Sequence, residues 1–518
     1  MRWLLFLTAV LVPSLAVGAP LPCGTPDFLP TLEAPRDFPA ATTRDKSERN
    51  PYGVPNAQAT DDFVIRWGNS GGVDLGAIDD LAEALEDAWQ TQIIDLDHPA
   101  PPSTDSTKMN VYIGDTGSGS PSGAGAGGYF TGDDEGYPML VVALASLQAG
   151  GDWLRVVALH EFYHSVQWGL ESYGYGDGDP GAWYWEATAS WIPSVTDPSS
   201  SANGSFLFGF GLLPHTSLDS FDYPDTGALA EYHQYGAFIF PTWLVEDGLP
   251  PSVIRNTWVS PAGGTNDPLE ALRAELATYD RDLDVDFADF AAHNAFWDYV
   301  HGDAWAAQIE ATRGQFPSAA PVTLELDGPT DGPVSPPPGL RPARHGANIV
   351  RLDDALGEDL TLRASFDATG SAGSDATWRA RLVRRTGASL DYQEVTAAEL
   401  AEGVEIGDGG ALAFVVTVVS PTRRAGEVFD WEVSLEAPVI PGDDDDATGD
   451  DDDSAAGDDD DDGGGGGGSG AGCGSCAGGS GTLAWLLLGY STAIPLRRRR
   501  SAASSRSVPS GNSAAKSR

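Results

Sequence analysis

The chain has 518 residues, of which 41% are hydrophobic and 20% are charged, so it is long enough for two or three domains. Its 76 acidic and 29 basic residues give a formal net charge of −47, which would repel polyanions and argues against a nucleic-acid partner. Three cysteines are too few for a disulfide-dense scaffold or for a zinc site made of four cysteines.

The first 60 residues divide into two parts. Residues 1–19 are typical of a signal peptide, because Arg2 precedes an apolar run and small residues lead up to Ala19, where cleavage would follow. Residues 20–60 are rich in Pro, Asp and Arg and lack a clear period, so we predict an irregular arm or a propeptide. This arm contains Cys23, the one cysteine outside the glycine-rich C-terminal tail.

Hydrophobic spacing predicts an α+β domain over residues 61–316. We expect a small mixed sheet over a long helix, followed by a mainly helical subdomain. The predicted strands are 63–67, 108–113 and 137–144. The predicted helices are 79–94, 152–170, 183–191, 227–246, 267–276 and 285–299.

The next part of the chain changes to an alternation of apolar and polar residues. Residues 317–347 are proline-rich and are predicted to be a linker. Residues 348–437 alternate with a period of two, as at Leu360, Leu362, Ala364 and Phe366. This pattern predicts a C-terminal β-sandwich, and it resembles the β-sandwich modules that follow the catalytic domains of secreted bacterial peptidases.

The predicted helix 152–170 carries the sequence His160-Glu161-Phe-Tyr-His164, which is the motif H-E-x-x-H. Residues four apart lie on one helical face, so both imidazoles can bind the same Zn²⁺. Glu161 then lies beside the metal and can act as the general base toward water. Two histidines on a core-facing helix would be the structural alternative.

A catalytic zinc needs a third protein ligand. The best candidate is Glu186, which lies 22 residues after His164 on the next predicted helix. Asp177 and Asp179, in the loop between the two helices, are alternatives, and this Gly/Asp loop also permits a structural Ca²⁺.

The motif followed by a helical E-x-x-A at Glu186 resembles the gluzincin metallopeptidases, the thermolysin-like superfamily. The resemblance implies a zincin-like catalytic domain with Zn²⁺ held by His160, His164 and Glu186. In thermolysin an Asp orients the first histidine, but Ser190 stands at that position here, so we expect the partner to come from elsewhere in the chain.

Gluzincins also place a Tyr or His near the oxyanion, which makes Tyr235 or His233 the candidate donor. Both residues belong to an aromatic stretch that could equally pack in the core.

The C-terminal tail has three parts. Residues 438–482 form an acidic Gly/Asp-rich linker with a C-x-x-C pair, residues 483–500 combine a short apolar segment with an arginine cluster, and residues 501–518 form a polar tail. This order resembles the C-terminal sorting domain of myxobacteria and related delta-proteobacteria, although here the chain continues past the arginine cluster to Arg518. The resemblance implies transient contact with the membrane and delivery to the cell surface.

The order of parts as a whole resembles that of surface metallopeptidases of myxobacteria. We therefore expect an exported zinc metallopeptidase that acts on a protein or peptide substrate. Two alternatives stay open at this point: a zincin hydrolase that cleaves peptide cross-links of the cell wall, and a non-catalytic surface binding or adhesion protein with a structural zincin core.

Overall fold

The structure is a computed structural model that describes residues 22–28, 32, 38, 46–176, 178–223, 228–261, 264–316, 323–352, 360–367, 376–407, 410–420 and 427–437. All of them fall within the compact unit Ala19–Gly449. The predicted signal peptide, acidic linker, sorting segment and polar tail lie outside the described residues. Within the described part of the chain, no helix is both long enough and apolar enough to cross a membrane.

The first sheet has five short strands in the order β1-β2-β3-β5-β4. Its strands are β1 (Asn56–Ala59), β2 (Phe63–Trp67), β3 (Met109–Ile113), β4 (Gly128–Gly132) and β5 (Pro138–Val142). The three inner strands are parallel, whereas β1 and β4 are antiparallel to their neighbours and form the two edges. Every residue of β3 and β5 is buried, as is usual for strands covered on both faces.

Among the described residues, twelve α-helices accompany this sheet. They are α1 (Thr25–Phe28), α2 (Leu75–Trp89), α3 (Leu144–Ala149), α4 (Gly151–Leu170), α5 (Ala182–Thr196), α6 (Leu207–Gly211), α7 (His233–Gly236), α8 (Ile239–Glu246), α9 (Ser252–Val259), α10 (Pro268–Ala277), α11 (Leu283–Asn294) and α12 (Gly302–Arg313). Short 3₁₀ turns at Ser201–Gly204 and Leu229–Tyr232 and a π-helical turn at Gln90–Asp95 connect some of them.

Helix α4 lies at the centre of this region. It packs against α2, α5 and β4, and every residue from Val156 to Trp168 is buried. Gly128 on β4 makes the close approach possible, because a Cβ atom there would lie 2.9 Å from Val157 and 3.0 Å from Glu161. The sheet edge and the helix that carries the H-E-x-x-H motif are thus in direct contact.

Two predictions for this region need correction. The single helix expected at 227–246 is wrong: the chain forms a 3₁₀ turn, α7 and α8 instead. Gly236 lies so close to α6 that a Cβ atom would be 2.5 Å from the backbone nitrogen of Phe210, and the chain turns after this contact. The arm 20–60 is not wholly irregular, because it contains α1 and the edge strand β1.

The described residues of the C-terminal part form two sheets, a 3₁₀ turn at Pro338–Leu340 and one short α-helix, α13 (Ala397–Glu402). The larger sheet has the order β10-β9-β12-β7-β6 and the smaller one β11-β8-β13. The strands are β6 (Thr323–Glu325), β7 (Gly346–Arg351), β8 (Leu360–Asp367), β9 (Thr377–Thr386), β10 (Ser389–Val395), β11 (Val404–Ile406), β12 (Ala411–Val419) and β13 (Asp430–Glu436).

Side chains from both of these sheets share one hydrophobic core, which includes Val350, Phe414 and Trp431. The outer face of the larger sheet packs on α11, where Ala291 and Ala292 meet small and branched residues of β7, β9 and β12. The structure therefore confirms a mixed α+β protein with strands concentrated near both ends of the described chain.

The segment 317–347 is not a simple linker. Its strand β6 pairs in parallel with β7, Leu326 is buried in the C-terminal core, and Val334 bridges to Val433 of β13. Proline-rich sequence disfavours regular structure locally, but these apolar side chains gain burial against the two sheets.

Candidate metal centre

Helix α4 places His160, Glu161 and His164 in the interior, where each residue is at most 3% exposed. The Nε2 atoms of the two histidines are 3.0 Å apart, as expected for residues i and i+4 that converge on one point. Their rings meet edge to face. Two buried imidazoles this close need either a shared proton or a shared ligand.

The neighbouring helix α5 brings Glu186 to the same point. Its Oε2 atom lies 3.2 Å from Nε2 of His160 and 3.6 Å from Nε2 of His164. Its other oxygen accepts a hydrogen bond from Tyr175 at 2.5 Å. No donor among the described residues meets Oε2 with hydrogen-bond geometry, so a fully buried carboxylate oxygen is left facing the histidines.

Cys23 completes the group from the N-terminal arm, just before α1. Its Sγ atom lies 3.5 Å from Nε2 of His164, and its side chain is buried. The four ligand atoms of Cys23, His160, His164 and Glu186 all lie within 4.8 Å of one another. These four residues could hold a metal ion.

The spacing of these atoms fits a small four-coordinate ion. Ligands about 2.0–2.3 Å from a tetrahedral zinc lie about 3.3–3.6 Å from each other. Four of the six ligand-atom pairs, at 3.0, 3.2, 3.5 and 3.6 Å, are close to those values, and all six lie within 4.8 Å. Imidazole, carboxylate and thiolate are also ligand types that zinc accepts together.

Each histidine has a polar neighbour on its other nitrogen. Nδ1 of His164 is 2.7 Å from Oε1 of Gln167, and the Gln167 amide nitrogen donates to Trp185 O and Thr188 Oγ1. The amide is therefore oriented so that its oxygen accepts from His164 Nδ1–H, which leaves Nε2 with a free lone pair.

His160 has a similar neighbour, because its Nδ1 lies 3.4 Å from Oγ of Ser190. We expected the partner of the first histidine to come from elsewhere in the chain than the position of the thermolysin Asp. That expectation is wrong, because the neighbour of His160 is Ser190 itself. Ser190 lies one turn of α5 after Glu186, at the position where thermolysin has its Asp, and it faces the same histidine.

Glu161 lies beside the group but is not one of its four members. Its Oε2 atom accepts hydrogen bonds from Thr25 Oγ1 at 3.0 Å and from Cys23 Sγ at 3.3 Å. Burial raises the pKa of Glu161, while the two histidines act in the opposite direction. A carboxyl with a raised pKa accepts and returns a proton more readily near neutral pH.

The electrostatics favour an ionised Glu186. Burial opposes its charge, but His164 and His160 outweigh burial and hold the pKa of this carboxyl well below its ordinary value. Burial raises the pKa of the Cys23 thiol, and the nearby acids Glu161 and Glu186 raise it further. The site thus contains an ionised Glu186 carboxylate in a buried position where a charge would be costly without the two histidines.

The two candidates for the oxyanion donor have different surroundings. The ring of Tyr235 lies 6.2 Å from the ring of His160, and its hydroxyl donates to the backbone oxygen of Cys23 at 3.4 Å. His233 instead packs against Phe210, and neither of its ring nitrogens has a hydrogen-bond partner in the described part of the chain.

Of the two alternative third ligands, Asp179 is not part of the group. Asp179 is exposed in the turn before α5, and its backbone bonds to Gly176 and Ala182. Asp177 lies outside the described residues. Sequence reasoning missed Cys23, Gln167 and the contact made by Ser190, although the helical spacing from His164 to Gln167 was a usable signal.

Residues 30–383 match the model of a family described as a family of unknown function, DUF6055. This match covers more than half of the chain, so the chain belongs to that family. None of the curated proteins has a matching sequence.

Proposed function

We propose that this member of the DUF6055 family is a zinc metallopeptidase. The observation that carries the proposal is the convergence of His160, His164 and Glu186 from two adjacent helices, with Glu161 next to them. Two histidines and a glutamate are the protein ligands of known catalytic zinc sites that hydrolyse peptides. A divalent zinc bound there would acidify a water molecule and polarise the scissile carbonyl.

Glu161 would take the proton from the attacking water and pass it to the leaving amine. Its buried position and raised pKa suit both directions of transfer. Gln167 and Ser190 would keep the two imidazoles turned toward the ion. Tyr235 is the better placed donor for the developing oxyanion, because its ring is close to His160 whereas His233 packs elsewhere.

The arrangement around the site supports a zincin-like catalytic domain. A mixed sheet with an antiparallel edge strand, β4, lies along the helix that carries the motif, and the second glutamate comes from the following helix. An extended substrate could add to such an edge through main-chain hydrogen bonds. We further propose that the two C-terminal sheets form a β-sandwich, since their side chains share one core.

The terminal segments support a role outside the cytoplasm. We propose that residues 1–19 direct export and that residues 483–500 act as a sorting signal for the cell surface, with transient membrane contact. The formal net charge of −47 suits a protein or peptide substrate better than a nucleic acid.

The proposal is tested with the full chain, reconstituted with zinc and incubated with a proteome-derived peptide library that is read by mass spectrometry. We expect one zinc per chain and a defined set of cleavages. Glu161→Gln should keep the zinc and lose about 10²–10⁴-fold in cleavage rate. Glu402→Gln, at an exposed position of α13, is the matched control and should cleave as the wild type does. Absence of stoichiometric zinc, or equal cleavage by wild type and Glu161→Gln, would contradict the proposal.

A further inference from the structure

The N-terminal arm occupies the position that the proposed reaction would need for its substrate. We infer that residues 22–28 are a built-in inhibitor, in which Cys23 is the fourth metal ligand and its flanking residues cover the sheet edge. This inference rests on the proposed function, because it concerns the regulation of the same site.

The arm lies along β4 as an additional peptide would. Gly127 N donates to Pro22 O at 3.1 Å, and Gly24 N donates to Gly128 O at 2.9 Å. Further along, the backbone nitrogen of Phe130 donates to Thr25 Oγ1 at 2.9 Å. Backbone groups of an exposed sheet edge are common docking points for extended peptides.

The same few residues contact His164, Glu161 and Tyr235, three of the groups to which we assign a chemical role. Cys23 Sγ contacts His164 and Glu161, and Thr25 Oγ1 donates to the same oxygen of Glu161. The hydroxyl of Tyr235 donates to the backbone oxygen of Cys23. With the arm in place, the proposed base and the proposed oxyanion donor are both bound to the arm.

The arm also fills the space beside the site. The remaining cavity, lined by Pro22, Cys23, His160 and Glu161 among others, has a volume of about 10 Å³, enough for roughly one water molecule. The fit is close, because a Cβ atom on Gly24 would lie 2.9 Å from Ala126 Cβ. A substrate peptide can reach the histidines only after the arm has moved.

Zinc hydrolases keep one coordination position for water, whereas closed structural sites use four protein ligands. Cys23 adds a fourth protein ligand to the other three. As a metal ligand Cys23 would be a thiolate, so only Thr25 would then donate to Glu161. Departure of residues 22–28 would return the fourth position to water and free Glu161 from Thr25, so the arm would switch the site between a closed and an open form. The Cys23 thiolate would take up one proton from solvent as it leaves the ion, and no bond between heavy atoms of the chain would change.

Cobalt(II) substitution of the full chain tests the inference, because a thiolate ligand gives a sulfur-to-cobalt charge-transfer absorption that nitrogen and oxygen ligands do not give. The variants are Cys23→Ser and, as the matched control, the double variant Cys473→Ser/Cys476→Ser, which removes the other two cysteines. We expect one cobalt per chain in all three proteins. The absorption should be present in wild type and control and absent from Cys23→Ser.

The zinc forms of the same proteins are then compared on the peptide library. Cys23→Ser should cleave at least ~10-fold faster than wild type and control, since the hydroxyl of serine is a poor ligand for zinc. If Cys23→Ser does not unfold cooperatively, Cys23→Ala replaces it with the same expectations. The wild-type spectrum tests the ligand without either variant.

The outcomes separate this inference from the proposed function. One cobalt per chain without the sulfur absorption in wild type would overturn the assignment of Cys23 and leave the metallopeptidase proposal intact. The absorption together with equal cleavage by wild type and Cys23→Ser would overturn the inhibitory role. If none of the proteins binds cobalt or zinc stoichiometrically, the proposed function fails, and the inference fails with it.

Discussion

Helix α4 from Val156 to Trp168 and strand β12 from Leu412 to Val419 are buried without interruption, but they bury different kinds of side chain. The buried residues of β12 are apolar except for Thr417, whose hydroxyl donates to a backbone oxygen of β9. The buried stretch of α4 includes His160, Glu161 and His164. Burying ionisable groups costs free energy unless they are paired or bind a metal. The buried part of β12 is thus almost wholly apolar, whereas the buried part of α4 carries the ionisable side chains to which we assign the proposed chemistry.

The largest expected effect comes from breaking the centre itself. His164→Ala removes one imidazole, and with it the Nε2 atom that lies 3.6 Å from Oε2 of Glu186. We expect loss of stoichiometric zinc and a fall in peptide cleavage of at least about 10³-fold, since the metal supplies several kcal/mol of transition-state stabilisation. Metal analysis and the library digest measure both; retained zinc would contradict the assignment.

The matched change in the other core should act only on stability. Trp431 is buried between the two C-terminal sheets and donates from Nε1 to Asn348 at 2.8 Å. We expect Trp431→Ala to lower the free energy of unfolding by about 3–5 kcal/mol. Denaturant unfolding measures the loss of stability, and zinc analysis of the folded variant shows whether the metal centre is intact. A variant that folds but loses its zinc would contradict the view that this core affects only stability.

Replacing the proposed oxyanion donor should reduce turnover without removing the metal. Tyr235→Phe deletes a hydroxyl that is buried near His160. We expect kcat to fall about 10²–10³-fold with little change in KM, because the hydroxyl would act mainly in the transition state. The kinetics are measured in the Cys23→Ser background. An unchanged kcat would remove Tyr235 from the mechanism.

A smaller effect is expected from the residue that orients His164. Gln167→Leu removes the acceptor at 2.7 Å from Nδ1 while keeping a side chain of similar size. Zinc affinity should fall about 10–100-fold, as is usual when an outer-shell partner of a ligand histidine is lost. Competition with a chelator gives the affinity. Gln393→Leu, at an exposed position of β10, is the control and should bind zinc as the wild type does.

The smallest effect concerns acid stability. Burial, with His215 nearby, lowers the pKa of His233 to about 3, although Asp219 acts in the opposite direction. The folded state therefore keeps this ring neutral while the unfolded chain takes up a proton near pH 6.5, so stability is lost as the pH falls below 6.5. Between pH 7 and pH 5, protonation of His233 in the unfolded chain should lower the free energy of unfolding of the wild type by about 2 kcal/mol, and His233→Phe should not show this decrease. If the free energy of unfolding of wild type and of His233→Phe changed with pH at the same slope, this expectation would be contradicted.

Local spacing was sufficient to predict the helical part of the site. The i, i+4 pair of histidines and a glutamate on the next helix depend on periodicities that are visible in the sequence. Both helices were predicted within a few residues of their observed bounds, apart from the longer C-terminal end of α5.

Contacts made by the fold as a whole could not be predicted in this way. Cys23 precedes Glu161 by 138 residues and reaches it only because the arm lies along β4. Strand β4 itself was missed, because a five-residue segment with glycine at both ends carries little strand signal. The only indication of Cys23 in the sequence was its isolation from the other two cysteines.

X-ray absorption spectroscopy of the zinc-loaded full chain tests the central claim most directly, because it counts the ligand atoms around the ion. We expect one zinc per chain, with one sulfur at about 2.3 Å and three nitrogen or oxygen ligands at about 2.0–2.2 Å, two of them imidazoles. Substoichiometric zinc, or a coordination shell without two imidazoles, would contradict the account. A shell with two imidazoles but no sulfur would contradict only the assignment of Cys23.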